Sequence, residues 1–142
     1  MSIVAIAGAT GYIGGRIAPR LLEAGYQVRC LVRSVRKIRD REWAANPLLE
    51  LEQVDLADSA AVAKALDGCE SAFYLVHSMM SAGAGYADQD RMLAKCFSKG
   101  AQIAGVKRII YLGGLGSSNE DLSKHLASRR EVEEALASAA FR

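Results

Sequence analysis

The chain has 142 residues, 51% of them in the apolar set AVILMFWYC and 24% charged, with only two prolines. That length fits a single domain, residues 1–142, with enough apolar material for a core, which excludes disordered and fibrous classes. Eighteen Lys and Arg against sixteen Asp and Glu leave a net charge of +2, too small an excess to argue for nucleic acid or a membrane surface as partner.

Short β-branched runs alternate with longer helical patterns five times along the chain. The first strand is expected at Ile3–Ala7, closed by Gly8. Ile13, Ile17 and Leu21 then recur at four-residue spacing on one helix face, with Gly25 as the stop. Pro19 falls inside that helix, where it costs stability or kinks the axis, and nothing in the sequence accounts for it. A second strand is expected at Val28–Val32. A basic stretch (Arg29, Arg33, Arg36, Lys37, Arg39 and Arg41, with Asp40 as its one acid) and Trp43 lead through Pro47 to a third strand near Leu49–Val54. Ala60–Leu66 is expected to be helical and to stop at Asp67-Gly68, and Ala72–Val76 reads as a fourth strand. A loop of small residues follows at 78–85. Leu93, Phe97, Ala101 and Ala104 then share a helical face that ends at Gly105. Arg108–Leu112 is the fifth strand, and a last helix runs from about Asp121 to Ala139. Strands alternating with helices of this length predict an α/β fold, a doubly wound parallel sheet of about five strands covered on both faces.

Cys30, Cys69 and Cys96 are odd in number, far apart and set in apolar contexts, which predicts buried reduced thiols in a cytoplasmic protein. His77 and His125 are the two histidines, and no Cys/His spacing of a metal site occurs. No export signal and no run of 18 apolar residues is present, so no membrane partner is expected.

The run Gly8-Ala9-Thr10-Gly11-Tyr12-Ile13-Gly14-Gly15 lies between the first strand and the first helix. In that position glycines permit a tight turn and close approach of backbone amides to a pyrophosphate, and the helix N-terminus adds partial positive charge. The expected ligand is a dinucleotide, with a plain tight turn as the weaker alternative. The GxxGxxG spacing resembles the extended and atypical short-chain dehydrogenase/reductases. Asp55-Leu56 after the third strand and Tyr111-Leu-Gly-Gly114 after the fifth agree with that resemblance. More narrowly, the runs 74–79, 111–115 and 122–129 look like a bacterial NmrA-like branch. The resemblance covers essentially the whole chain and implies a Rossmann fold.

Charge bears on the choice of cofactor. A free ribose 2′-OH is usually held by an acid at the end of the second strand, whereas a 2′-phosphate needs a cation. Here that strand ends Leu31-Val32-Arg33-Ser34. Arg33 can offer its planar fork to a phosphate, and the expectation is NADP(H) over NAD(H). Arg36 and Lys37 would add to the field there, and for Arg36, Lys37, Arg39 and Arg41 individually a solvated basic face is a fair competing explanation. The candidate cofactor contacts are thus Gly8, Thr10, Gly11, Tyr12, Ile13, Gly14, Arg33 and Ser34. The resemblance adds Asp55 and Leu56 beside the adenine, with Asp55 as a helix cap the alternative, and Leu75, Val76 and His77 beside the adjacent ribose.

The resemblance also implies a catalytic Tyr followed four residues later by Lys. Position i+4 is instead Arg16, Cys30, Ser78, Asp90 and Leu115 after the five tyrosines. On the last helix the corresponding positions fall on His125 and Arg129, one turn apart. His125 is a candidate acid/base and Arg129 a candidate anion ligand; a packed His125 and an Arg129–Glu133 pair on a wet face are equally open. Ser117 and Ser118 stand where a substrate-orienting serine would sit, or form a turn and cap. The superfamily's sheet normally continues past a fifth strand, so the sequence is expected to be the nucleotide-binding part of something larger, cut before the sixth strand. The fifth strand is then expected at a sheet edge, where apolar backbone invites self-association as a homodimer. Two functions remain open: a possible NADP-dependent oxidoreductase acting on an unidentified small molecule, and a non-enzymatic redox sensor that binds NAD(P) and regulates a partner protein. The missing Tyr-xxx-Lys favours the sensor.

Overall fold

The computed structural model describes residues 2–76, 86–112 and 124–137. The apolar runs form β1 (Ile3–Ala7), β2 (Gln27–Val32), β3 (Leu49–Gln53), β4 (Cys69–Tyr74) and β5 (Arg108–Tyr111). Each pairs in parallel with its neighbours, in the order β3-β2-β1-β4-β5. Parallel neighbours require crossovers, which α1 (Tyr12–Glu23), α3 (Ser59–Ala65) and α4 (Tyr86–Ala104) supply. The β2–β3 connection holds the short α2 (Arg36–Arg39) and a 3-10 turn at Glu42–Ala45, and α5 (Lys124–Ala137) follows β5. The doubly wound Rossmann architecture expected from the sequence is the one observed.

Side-chain alternation divides the core in two. Ile6, Val28, Cys30 and Val32 pack on one face against Ala18 and Leu22 of α1 and against Ile38 of α2. Ala5, Ala7, Leu31, Ala72 and Tyr74 meet Val62, Phe97, Ala101 and Val132 on the other. Both faces are covered, so the central strands are apolar almost without interruption. The basic stretch after β2 is therefore more than a wet surface: its Ile38 is fully buried and Trp43 packs against the same cluster.

β4 begins at Cys69, three residues before its expected start, and stops at Tyr74. Gly68, with φ +83°, turns the chain directly into the strand, and Cys69 N–H donates to Leu66 O at 2.9 Å. Polar Glu70 and Ser71 masked this start. Leu75 and Val76 consequently lie beyond the strand, in its carboxyl-end loop. Cys30 and Cys69 are buried as expected, whereas Cys96 is half-buried. Its Sγ contacts Ala57 O and Met92 Sδ at the edge of the buried face of α4. α1 runs unbroken through Pro19, which has no N–H to give the carbonyl of Gly15. β5 stands at one edge of the described sheet and β3 at the other. No described helix is long and apolar enough to cross a membrane.

Candidate functional site

β1 and β4 are neighbours, while the chain leaves β1 toward β2 on its other side. The order of connections therefore reverses between them, opening a crevice at the carboxyl ends of the strands. A cleft of about 330 Å³ lies there. Its rim is built from four successive strand ends: Gly8–Gly11 after β1, Arg33 and Ser34 after β2, Asp55–Ala57 after β3, and Leu75 and Val76 after β4. Leu31 and Val32 of β2, Lys37 of α2 and Gln89, Met92 and Leu93 of α4 complete the lining.

The glycine loop owes its shape to two positions. Gly8 has φ +100°, and a Cβ on it would stand 2.6 Å from the backbone oxygen of Leu75. At Gly14 a Cβ would overlap the Gly8 carbonyl oxygen outright and come within 2.8 Å of the Ala9 Cα. A side chain at Gly8 would push the loop off the segment after β4, and one at Gly14 would push α1 off the loop. Gly11 N–H closes the turn on Gly8 O at 3.1 Å. With glycine as N-cap, no side chain covers the amides of the first turn of α1, which leaves them available to an anion. Tyr12 is exposed and lies under the Arg16 guanidinium, 4.5 Å from its ring centroid.

Of the candidate contacts, Gly8, Thr10, Gly11, Arg33, Ser34, Asp55, Leu56 and Val76 come together as lining residues of this cleft. Tyr12, Ile13 and Gly14 form the first turn of α1 and are not among the lining residues. Asp55 is not the helix cap: Asp58 accepts from Ala60 N–H and Ala61 N–H, both at 3.1 Å, and caps α3. Asp55 instead accepts from Ala57 N–H at 2.9 Å, which folds the cleft-lining turn. His77, Ser117 and Ser118 lie outside the described residues. His125 and Arg129 fall on the backbone of α5, four residues apart, and their side chains lie outside the description. The α4 wall was missed because Leu93 belongs to the helix's apolar periodicity and reads as core. Arg41 was missed as well; its Nη2 donates to Thr10 O at 3.3 Å, a contact between distant segments that no local pattern signals. Among the described residues no group of His, Cys, Asp and Glu could hold a metal ion.

A parallel sheet of this order with a glycine loop at its switch point defines a Rossmann nucleotide-binding domain. The chain belongs to the NAD(P)H-binding family, whose model matches residues 8–140. It is 31% identical over 125 residues to cinnamoyl-CoA reductase 2 of Arabidopsis thaliana, covering 81% of this chain and 36% of that one. An oxidoreductase with an NmrA-like family domain from Aspergillus japonicus is 30% identical over 115 residues, 80% of this chain and 34% of that one. Among solved structures, the NADPH complex of an NADPH-dependent quinone oxidoreductase from Escherichia coli superposes with a TM-score of 0.78 at 26% identity, covering 97% of this chain and 46% of that one. The affiliation expected from the motifs holds, and the chain is an NAD(P)-binding domain with oxidoreductase relatives. It spans about a third of the length of these curated relatives and under half of that of the quinone oxidoreductase.

Proposed function

We propose that this chain binds NADP(H) in preference to NAD(H), as the cofactor-binding domain of a reductase. The observation that carries the reading is the β2 end of the cleft. Arg33, Ser34 and Lys37 line it together, two cations and a hydroxyl where an NAD-selective site would place a carboxylate. Arg33 and Lys37 would hold the 2′-phosphate, and the Gly8–Gly11 turn with the first amides of α1 the pyrophosphate. Asp55, Leu56 and Ala57 would border the adenosine. The cofactor supplies hydride when bound; the residues named here bind and orient it. The quinone and cinnamoyl-CoA reductases among the relatives support a carbonyl or quinone as the acceptor class. Calorimetric titration with NADPH and NADH tests the reading. Wild type is expected to prefer NADPH by at least about tenfold, since one charge-assisted phosphate pair is worth that much, and Arg33→Glu to abolish the preference. An unchanged preference in Arg33→Glu, or no binding of either cofactor, overturns it.

A second reading, a redox sensor without turnover, is favoured by one observation: none of the five tyrosines has Lys four residues later. Saturable NADPH binding with no oxidation across a panel of quinones and carbonyls would select it, whereas turnover would exclude it.

A further inference from the structure

Arg41 joins α2 to the 3-10 turn, thirty-one residues beyond Thr10. Its backbone is anchored on both sides: Arg41 N–H donates to Ile38 O at 2.9 Å, and Arg41 O accepts from Ala44 N–H at 3.0 Å. Ile38 in turn is fully buried in the core beneath α1. From this base the guanidinium crosses to the glycine loop and donates to the Thr10 carbonyl. That carbonyl lies one residue ahead of the helical ladder, which opens with Gly15 N–H on Gly11 O at 2.9 Å. The guanidinium lies over Gly15, where a Cβ would stand in ordinary van der Waals contact, 3.5 Å from Nη1 and 3.8 Å from Cζ. The contact thus ties together two pieces of chain with separate anchors: the Gly8–Gly11 turn and the arm that carries Arg33, Ser34 and Lys37. Both line the same cleft.

We propose that Arg41 is a positioning residue that fixes the spacing between the glycine turn and the Arg33–Lys37 arm, and so selects ligands that must engage both at once. The proposal rests on the NADP(H) reading above. A ligand held at two subsites gains from their fixed separation because neither piece has to be ordered when it binds. A ligand that touches one piece gains nothing. Arg41 therefore raises affinity for a dinucleotide with a 2′-phosphate, and leaves affinity for 2′-AMP and for NADH nearly alone.

The test is titration of the wild-type chain, Arg41→Met and Arg41→Lys with NADPH, NADH and 2′-AMP. Met keeps the aliphatic stem and removes the donors, whereas Lys keeps a charged donor group. Arg41→Met is expected to weaken NADPH binding about fivefold, the worth of one exposed charge-assisted hydrogen bond. 2′-AMP and NADH are expected to change by less than about twofold, and Arg41→Lys to recover most of the NADPH loss. An equal loss for 2′-AMP would make Arg41 a ligand of the 2′-phosphate, and an equal loss for NADH a ligand of the pyrophosphate. Either result overturns the positioning role. NADPH binding unchanged in Arg41→Met overturns it too, with the cofactor reading intact. A wild-type chain that binds none of the three ligands overturns both.

Discussion

Arg29 projects from β2 toward the amino ends of the strands, away from the cleft, and it makes the most concentrated polar contact among the described residues. Its Nε donates to Glu50 Oε2 on β3 at 2.8 Å. Its Nη1 reaches Ala65 O at 2.8 Å and Asp67 O at 2.6 Å, and lies 3.4 Å from Cys69 Sγ. Gln27 Nε2 donates to the other oxygen of Glu50. One guanidinium thereby holds β2, β3, the carboxyl end of α3 and the first residue of β4. Burial works against the charge, but the Glu50 hydrogen bond and the neighbouring groups override it and push the guanidinium above its ordinary range. A pKa raised on folding contributes stability below the unfolded value and loses it only as pH climbs past the folded one. The contribution of Arg29 is therefore complete throughout the neutral range.

Arg29→Met leaves Glu50 without its cation and two carbonyls without a donor. Removing one partner of a fully buried pair costs about 3–5 kcal/mol. The Arg29 side chain is 13% exposed but that of Glu50 is 36%, so water recovers part of this and the expected loss is about 2–3 kcal/mol. At this chain length that lowers Tm by roughly 6–12 °C. Glu50→Gln keeps the carbonyl contacts of Arg29 and is expected to cost only about 1 kcal/mol. Urea unfolding followed by circular dichroism measures both. Equal costs for the two variants, or a loss below about 0.5 kcal/mol in Arg29→Met, would refute the extra cost assigned to losing the two carbonyl contacts.

Alkaline pH is expected to destabilise the fold. Burial pushes the Cys30 thiol up from 9.0 to about 12 and raises Tyr74 as well. Above pH 9.0 the unfolded chain releases a proton that the native chain keeps, so stability falls as pH rises, by about 1.4 kcal/mol per pH unit for each group titrating in that window. Unfolding series between pH 8 and 11 should show this slope, and Cys30→Ala should flatten it; an identical slope in the variant would count against Cys30. Pro19→Ala restores an N–H to the carbonyl of Gly15 and is expected to stabilise the chain by about 1–2 kcal/mol. A fall in Tm would show that the Pro19 ring contributes packing that outweighs the missing hydrogen bond.

Much of the layout could be read from the chain because it is local. Apolar runs such as Ile3–Ala7 and Val28–Val32 carry their own strand signal, and the glycine loop sits between a strand and a helix where its spacing has one clear use. The Arg33-Ser34 end of β2 was legible for the same reason, since a strand tip has a fixed relation to the loop beside it. Distant contacts were not. Arg29 meets Ala65, Asp67 and Cys69 across thirty-six to forty residues, and in the sequence it is simply one member of a basic stretch. Arg41 was hidden in the same way. The start of β4 escaped notice because Glu70 and Ser71 occupy the solvent-facing amino end of the sheet, where burial imposes no apolar pattern. Cys96 was expected to be buried from its apolar neighbours, but it lies at the edge of the buried face of α4, beside the loop that follows β3.

The contact of Gly8 with Leu75 bears on kinetics. Leu75 N–H is bonded to Ala7 O at 2.8 Å, and the Gly8 Cα presses against the Leu75 carbonyl too closely for any β-carbon to intervene. The turn is therefore set in shape by the segment that follows β4, before any ligand arrives. A molecule docking there does not wait for a rare conformer of the loop, so its arrival is governed by encounter and orientation. Ligands that differ in affinity at this turn should then arrive at similar rates and differ in how long they stay.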